Sequence, residues 1–314
     1  NKVLALDFGG TKLAAAVVDL ADGAFCAEVR RTAPTPASAS ESIHAMFAMG
    51  REVLHQCSLE TPAKVGISFG GPVSADRKTV LMSNHVPDWE GIALPHLAEE
   101  IFGCPAFMDN DANAAALGSW TYDANRVPDT MVYLQVSTGI GSGLILNRNL
   151  FRGGSLAGEV GHMTIFPDGP ECVCGKHGCL ESLCAGWAFA RAGREALQSA
   201  KSDSPLFQLS QGSPEKMDAR LVIEAARAGD KKASEITARA FTALGIAIAN
   251  VISLLDPQKI ILGGGVTRAQ ADMWAVLEPV VDRELHPLFK KRCTLEFSRQ
   301  NGKETLLGAA LLED

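Results

Sequence analysis

Three cysteines in the spacing C-x-C-x4-C, Cys172, Cys174 and Cys179, constrain this chain more than any other stretch. They sit in GEVGHMTIFPDGPECVCGKHGCLE, residues 158–181, with His162 ten residues before the first thiol. Three thiolates and an imidazole make a complete tetrahedral zinc set. Gly175 and Gly178 allow the positive φ that a short chelating loop needs. Four protein ligands leave no position for water or substrate, so the metal is read as structural Zn²⁺. The alternatives are buried, unliganded thiols, since free Cys packs as a small hydrophobe, and a disulfide. The Gly, Lys and His between these thiols do not resemble core residues. Such a cluster would hold Glu159, His162 and Glu181 in fixed relation, which a ligand with several hydroxyls requires.

A chain of 314 residues exceeds the size at which single cores stop growing, so two domains are expected. The 29 basic and 36 acidic residues give a net charge of −7 without a Lys/Arg run. Nucleic acid is therefore not an expected partner. No apolar stretch is read as approaching the ~18–20 residues of a membrane span, so no membrane partner is expected. The opening NKVLALDFGGTK has a short apolar run broken by Asp7, unlike a signal peptide. The expected location is cytoplasmic, where thiols stay reduced. Cys26, Cys57, Cys104, Cys184 and Cys293 are scattered and read as free.

The pattern of elements is α/β. VLALDF (3–8) reads as a buried strand ended by Gly9-Gly10, and LAAAVVDL with AFCAEVRR as a hairpin turning at Asp22-Gly23. Helices are expected from Ser40 to about Cys57, over 94–102 and from Asp111 to Trp120. Strands are expected at KVGISFGG, PAFMDN, MVYLQVS and GLILNRN. Beyond the cysteine loop the chain turns mostly helical. A long helix from Arg239 to Leu255 precedes the strand KIILGGGV, then a helix near 268–285, a strand near 293–298 and a helix at 304–312. The unit of strand, Gly-rich turn and strand occurs twice, as LALDFGGTKLAAAVV and YLQVSTGIGSGLIL. This echo suggests two domains of similar plan. The first is expected over 1–120, joined by the last helix at 302–314. The second would cover 121–301 and carry the zinc loop.

Glycines let backbone N–H groups approach a phosphate closely. The turn holding Asp7, Gly9, Gly10, Thr11 and Lys12 is one candidate, and Thr138, Gly139 and Gly141 in STGIGSG form a second. Each is either a plain turn or half of a phosphate clamp, with Asp7 able to hold a Mg²⁺ water. Neither is a Walker A loop or a dinucleotide fingerprint. Gly264 and Gly265 are either a strand-to-helix turn or a close-approach site for a flat adenosine. Asp111, in Asn110-Asp111-Ala112-Asn113, is either a helix cap or the base that takes a proton from a hydroxyl attacking phosphorus.

These pieces resemble the ROK family, and within it the bacterial ATP-dependent glucokinases. The matching residues are DFGGTK (7–12), GISFGGPV (66–73), NDAN (110–113), STGIGSG (137–143), GEVGH (158–162), CVCGKHGCLE (172–181) and GGGV (263–266). They follow family order over nearly the whole chain. The resemblance implies two actin-like, RNase H-like domains with mixed sheets around an interdomain cleft that holds sugar and ATP. It implies Asp111 as general base and Asn110, Glu159, His162 and Glu181 as sugar ligands, with Gly71 and Asn84 at further sugar contacts. His162 would serve zinc and sugar through its two ring nitrogens. A homodimer or dimer of dimers is also expected. Ser142 stands where many relatives have Gly. Phe69 stands where smaller residues are common, and with Pro72 it is expected to fill the pocket wall near carbon 2 of the sugar.

The leading expectation is transfer of the γ-phosphoryl of MgATP to the 6-hydroxyl of glucose. The alternative is an N-acetylhexosamine kinase. A sugar-responsive repressor is disfavoured because the first strand begins at Val3 and the net charge is −7. A non-catalytic sugar-binding protein is disfavoured by Asp111 and the two Gly-rich turns.

Overall fold

The computed structural model describes residues 1–10, 12–33, 38–83 and 86–313, so the expected ligands Thr11 and Asn84 lie outside the described residues. Two compact units divide the chain. The first takes Asn1–Tyr133, Gly143–Gly158 and Ser298–Asp314, and the second Leu134–Ser142 and Glu159–Phe297.

The first sheet is built from β1 (Lys2–Phe8), β2 (Lys12–Asp19), β3 (Ala24–Thr32), β4 (Val65–Phe69) and β5 (Ala106–Asn110). Their spatial order is β3-β2-β1-β4-β5. The β1–β2–β3 meander is antiparallel, while β1, β4 and β5 run parallel. The parallel crossovers contain α1 (Ala39–Gln56) and α2 (Leu94–Phe102), and α3 (Asp111–Tyr122) leaves β5 directly. Ser38 opens α1 with a reciprocal bond to Glu41, which satisfies two orphan donors at once.

The second sheet joins β6 (Met131–Val136), β7 (Ile140–Leu146), β8 (Asn149–Phe151), β9 (Lys259–Gly263) and β10 (Thr294–Phe297), in the order β10-β9-β6-β7-β8. Place for place this is the plan of the first sheet. The antiparallel β7–β8 pair matches β2–β3, and the parallel β9–β10 pair matches β4–β5. The echo in the sequence thus marks the first hairpin of each sheet. Between β8 and β9 come α4 (Leu180–Cys184), α5 (Gly186–Leu197), α6 (Pro205–Ser210), α7 (Ala219–Arg227) and α8 (Lys231–Leu255). The last helices are α9 (Gln270–Glu284) and α10 (Glu304–Leu311).

Two expectations need correcting on α8. It starts at Lys231, not Arg239, because the Asp230 side chain accepts the Ala233 N–H and caps the first turn. It is also long and apolar enough, by length and composition, to cross a membrane, although 56% of its apolar window is buried within the protein. That burial, against α4, α5, α7 and α9, is what a core helix shows.

Alternation across the first sheet separates two cores. Leu4, Leu6 and Phe8 of β1 face Met46, Met49 and Val53 of α1 and Leu94 of α2. Val3 and Ala5, with Ala14, Ala16 and Val18 of β2, face Leu306, Leu307, Ala309 and Ala310 of α10. Glycines bring α10 unusually close. A Cβ on Gly66 of β4 would lie 1.8 Å from the Ala309 carbonyl oxygen, and one on Gly308 would lie 1.6 Å from that of Ala114 in α3. Neither gap can be relieved by a rotamer change, since the obstacle is backbone. Gly308→Val is therefore expected to destabilise the protein by about 3 kcal/mol or more, at the upper end of overpacking. A thermal melt within ~2 °C of wild type would show that the helices separate without cost.

Candidate active site

In the first unit, strand register collects the expected residues at one edge. Asp7 pairs with Ser68, and Ser68 with Asp109, across the parallel strands; one step on, Phe8, Phe69 and Asn110 are aligned in the same way. Side chains in one such row share a face, so Asp7, Ser68 and Asp109 form a polar row at the carboxyl ends of the strands. The Ser68 hydroxyl donates to Asp7 Oδ1 at 2.8 Å. Gly70 N–H donates to the Phe8 carbonyl at 2.9 Å, so the turn after β4 lies against the Gly9-Gly10 turn. A Cβ on Gly9 would meet the Lys12 carbonyl oxygen at 2.8 Å, which makes glycine obligatory there. Lys12 opens β2 and is exposed.

Burial pushes the Asp7 carboxyl up to about 6, although the Ser68 hydroxyl and Arg30 pull it down. The folded protein therefore holds this proton more tightly than the unfolded chain. The stability linked to this group is complete below pH ~4 and declines as pH rises through about 6. Asp7→Asn should then raise stability near pH 7.5 by about 1–3 kcal/mol, with little gain near pH 4. Thermal melts at the two pH values test this, and an equal gain at both would refute it.

Asn110 caps α3 by accepting the Ala112 N–H on Oδ1 at 2.9 Å, and its Nδ2 donates to the Gly71 carbonyl at 3.1 Å. Gly71 is thereby fixed beside the junction. Asp111 is the first residue of α3 and half-buried, and its Oδ1 also accepts the Ala112 N–H at 2.9 Å. Asn110 holds the cap position, and Asp111, one residue into the helix, adds a second acceptor for the same N–H. Phe69 requires a correction. It is only 2% exposed and packs edge-on against Trp89, with ring centroids 4.8 Å apart. It belongs to the apolar core of the first unit and is not the exposed wall that the sequence suggested. Its ring instead lies under Gly71, where an added Cβ would meet it at 2.9 Å.

In the second unit, His162, Cys172, Cys174 and Cys179 present one ligand atom each, all within 4.8 Å of one another. The Cys174 and Cys179 sulfurs are 3.7 Å apart, and His162 Nδ1 is 3.6 Å from Cys172 Sγ. A tetrahedron with ~2.3 Å Zn–S bonds has edges of about 3.8 Å, so the donor set fits zinc in both chemistry and size. Gly175 and Gly178 have φ of 82° and 66°, as the loop reading requires. Without metal the thiols perturb one another. Burial pushes Cys172 up to about 12. Burial also raises Cys174, but the Lys176 N–H and the neighbouring thiols outweigh it and leave Cys174 below the ordinary thiol range.

The imidazole faces two ways. Nδ1 points to the thiols, while Nε2 lies 4.0 Å from Glu159 Oε2. Burial raises the Glu159 carboxyl above its usual range, with His162 lowering it and Glu181 raising it further. Glu181 is 8% exposed. Its Oε2 accepts the Ile140 N–H at 2.9 Å and its Oε1 the Trp187 indole N–H at 3.4 Å. Each oxygen retains a second lone pair. Glu181 thus fastens the cysteine loop to the turn between β6 and β7, where Thr138 is exposed and a Cβ on Gly139 would meet Glu181 Oε2 at 2.9 Å. Gly186 N–H closes the same turn by donating to the Ser137 carbonyl at 2.7 Å. Gly141 lies in β7. Gly264 has φ 99°, and an added Cβ would stand 2.4 Å from the Val136 carbonyl oxygen, whereas Gly265 meets only Ser137 Oγ at 3.9 Å. Gly264 is required by the fold, and Gly265 leaves open space.

Four partners escaped sequence reading. Ser68 and Trp187 bond expected site residues, and the buried Asp109 pairs with the half-buried Arg152 at 2.6 Å. Ser68 and Asp109 had a local signal, a polar side chain inside an apolar strand. Arg152 is 43 residues from its partner and had none.

The ROK family pattern matches residues 3–314. The chain is 34% identical to a glucokinase of Thermotoga maritima over 283 residues, 90% of this chain and 87% of that protein. It is 32% identical to an N-acetylmannosamine kinase of Citrobacter koseri, over 98% of this chain and 97% of that one. Its structure superposes with a TM-score of 0.86 on a ROK family glucokinase from Streptomyces griseus, solved with glucose and AMPPNP. The two are 31% identical, and the match covers 99% of this chain and 98% of that chain. The paired mixed sheets are those of the actin-like ROK kinase structures, as the motifs imply. Matched along almost its whole length, the chain belongs to the ROK family.

Proposed function

We propose that this protein is an ATP-dependent hexose kinase that moves the γ-phosphoryl of MgATP to the 6-hydroxyl of glucose. The observation that carries the reading is the two-faced His162, with Nδ1 toward the thiols and Nε2 toward Glu159. A ring held in this way by a metal keeps one tautomer and offers a fixed partner to a sugar hydroxyl. Glu159 and Glu181 accept further ring hydroxyls, and charged acceptors make such bonds roughly twice as strong as neutral ones. Asn110 and Gly71 add neutral contacts. Asp111 takes the hydroxyl proton as the oxygen bonds to phosphorus and the bond to ADP breaks. The turns at Gly9, Gly10 and Lys12 and at Thr138, Gly139 and Gly141 take the phosphates, and Gly264 and Gly265 the adenosine. Mg²⁺, with Asp7 beside it, neutralises phosphate charge when bound. Zn²⁺ on His162, Cys172, Cys174 and Cys179 is structural. Reduced thiols there suit a cytoplasmic enzyme, and a homodimer or dimer of dimers is the assembly we assign.

N-acetylhexosamine phosphorylation is the second reading, and the burial of Phe69 favours it more than the sequence did. With that ring in the core, nothing assigned to it restricts the group on carbon 2. Glucose keeps first place through the similarity to glucokinases. A coupled assay at fixed MgATP should rank kcat/KM for glucose above mannose and both above N-acetylglucosamine and N-acetylmannosamine. An N-acetylated sugar ahead by tenfold, about 1.4 kcal/mol in the transition state, would replace glucose. No turnover of any of the four would sink the kinase reading.

A further inference from the structure

The carboxylate beside the proposed base is more deeply buried than the base itself. Asp109 is 1% exposed, and two of its three bonds run to the junction that carries Asp111. Its Oδ1 accepts the Asn110 N–H at 2.8 Å and the Asn113 Nδ2–H at 2.8 Å, and its Oδ2 accepts Arg152 Nε at 2.6 Å. The first bond fixes the Asp109–Asn110 peptide, and the second fixes the first turn of α3. The third comes from the residue at which the chain leaves β8 for the segment ending at Glu159.

Asn113 shows what this arrangement demands. It is 4% exposed, and its Oδ1 is buried without a hydrogen-bond partner among the described residues. Turning the amide over would not help, because its oxygen would then face the Asp109 carboxylate. The fold accepts an unsatisfied acceptor to keep Asn113 donating to Asp109. A partly buried ion pair such as this one, with Arg152 30% exposed, is weak evidence for stability, since apolar replacements often serve as well. The other two bonds of Asp109 are spent on one junction.

We propose that Arg152 and Asp109 are positioning residues for phosphoryl transfer, holding the β5–α3 junction so that Asp111 meets the attacking hydroxyl. The proposal rests on the reading of Asp111 as the base. Arg152 neutralises Asp109 and pins its carboxylate. Asp109 in turn sets the Asn110 peptide and the first turn of α3. A displacement of ~1 Å at such a group costs on the order of 10²-fold in rate.

The test is kinetic, on the full-length, zinc-loaded protein, with activity counted per folded molecule. Arg152→Met should lower kcat by about 10–100-fold while the sugar KM stays within about threefold and the zinc content is unchanged. Arg152→Lys, which restores the charge and one donor, should recover a large part of kcat. Asp109→Asn turns an amide N–H toward Arg152 and should fall as far as Arg152→Met. If Arg152→Met does not unfold cooperatively, the Arg152→Lys and Asp109→Asn variants decide the matter. Lower melting temperatures with kcat within twofold of wild type would overturn the proposal and leave the pair a purely structural tie. A rise in sugar KM without a fall in kcat would also overturn it. A near wild-type kcat in Asp111→Asn is a separate outcome, because it removes the base and leaves these comparisons readable.

Discussion

Asp111→Asn is expected to lower kcat by about 10²–10⁴-fold, the usual contribution of a positioned base, with sugar affinity and fold retained. The geometry makes the substitution clean. Asp111 Oδ1 accepts the Ala112 N–H, and an asparagine oxygen can do the same. Asn110 caps that N–H independently, so helix initiation does not depend on residue 111. What disappears is basicity and a charge at a helix N-terminus, the latter worth ~0.3–1 kcal/mol. Steady-state kinetics beside calorimetric titration of glucose separate the two effects. A variant with kcat within tenfold of wild type would return Asp111 to the role of a second acceptor at the helix start.

Cys179→Ser is expected to abolish zinc binding and, with it, the order of the loop from Glu159 to Glu181. Cys179 is wholly buried, and a serine there offers no thiolate. Structural zinc in small peptides contributes ~10–16 kcal/mol of apparent binding free energy, so the loop has little else of that size to hold it. The damage should not stay local. Glu181 lies two residues beyond Cys179 and receives the Ile140 N–H, so the β6–β7 turn loses its partner as the loop loosens. The expected result is less than a tenth of a zinc per chain by elemental analysis, new proteolytic cleavage within 158–181, and KM raised for both sugar and ATP. Full zinc content in the variant would exclude Cys179 as a ligand. Loss of zinc with unchanged KM values would show that the loop does not position the site.

Much of this was legible because the signals are local. The second helix runs Leu94–Phe102 as read, with Pro95 in its first turn and Gly103 in the left-handed region at its end. The cysteine set was legible because three ligands lie within eight residues. Failures came where partners are distant or both faces are covered. Every residue of VGISF is buried, as in strands covered on both faces, so alternation could not say which way Phe69 points. The start of α8 was missed because its first turns, KKASEIT, mix charged and small residues without an apolar stripe, and only the Asp230 cap marks the boundary. The row of Asp7, Ser68 and Asp109 depends on parallel register, which no single strand encodes. β8 is three residues long, too short to show a period.

The close seat of α10 also bears on how the protein is made. The face of the first sheet formed by Val3, Ala5, Ala14, Ala16 and Val18 is covered by α10, and α3 is held against the same helix through Gly308. A ribosome that has finished β5 and α3 must still translate all of 159–297 before α10 emerges. At ~5–20 residues per second that interval is roughly ten to thirty seconds, during which a greasy sheet face waits unsealed on the nascent chain. Of the two units, the one that holds Asp111 is therefore begun first and completed last. A truncated or stalled product lacking α10 would hold every proposed catalytic side chain and no finished framework for them, so catalysis is in effect reserved for chains that reach α10.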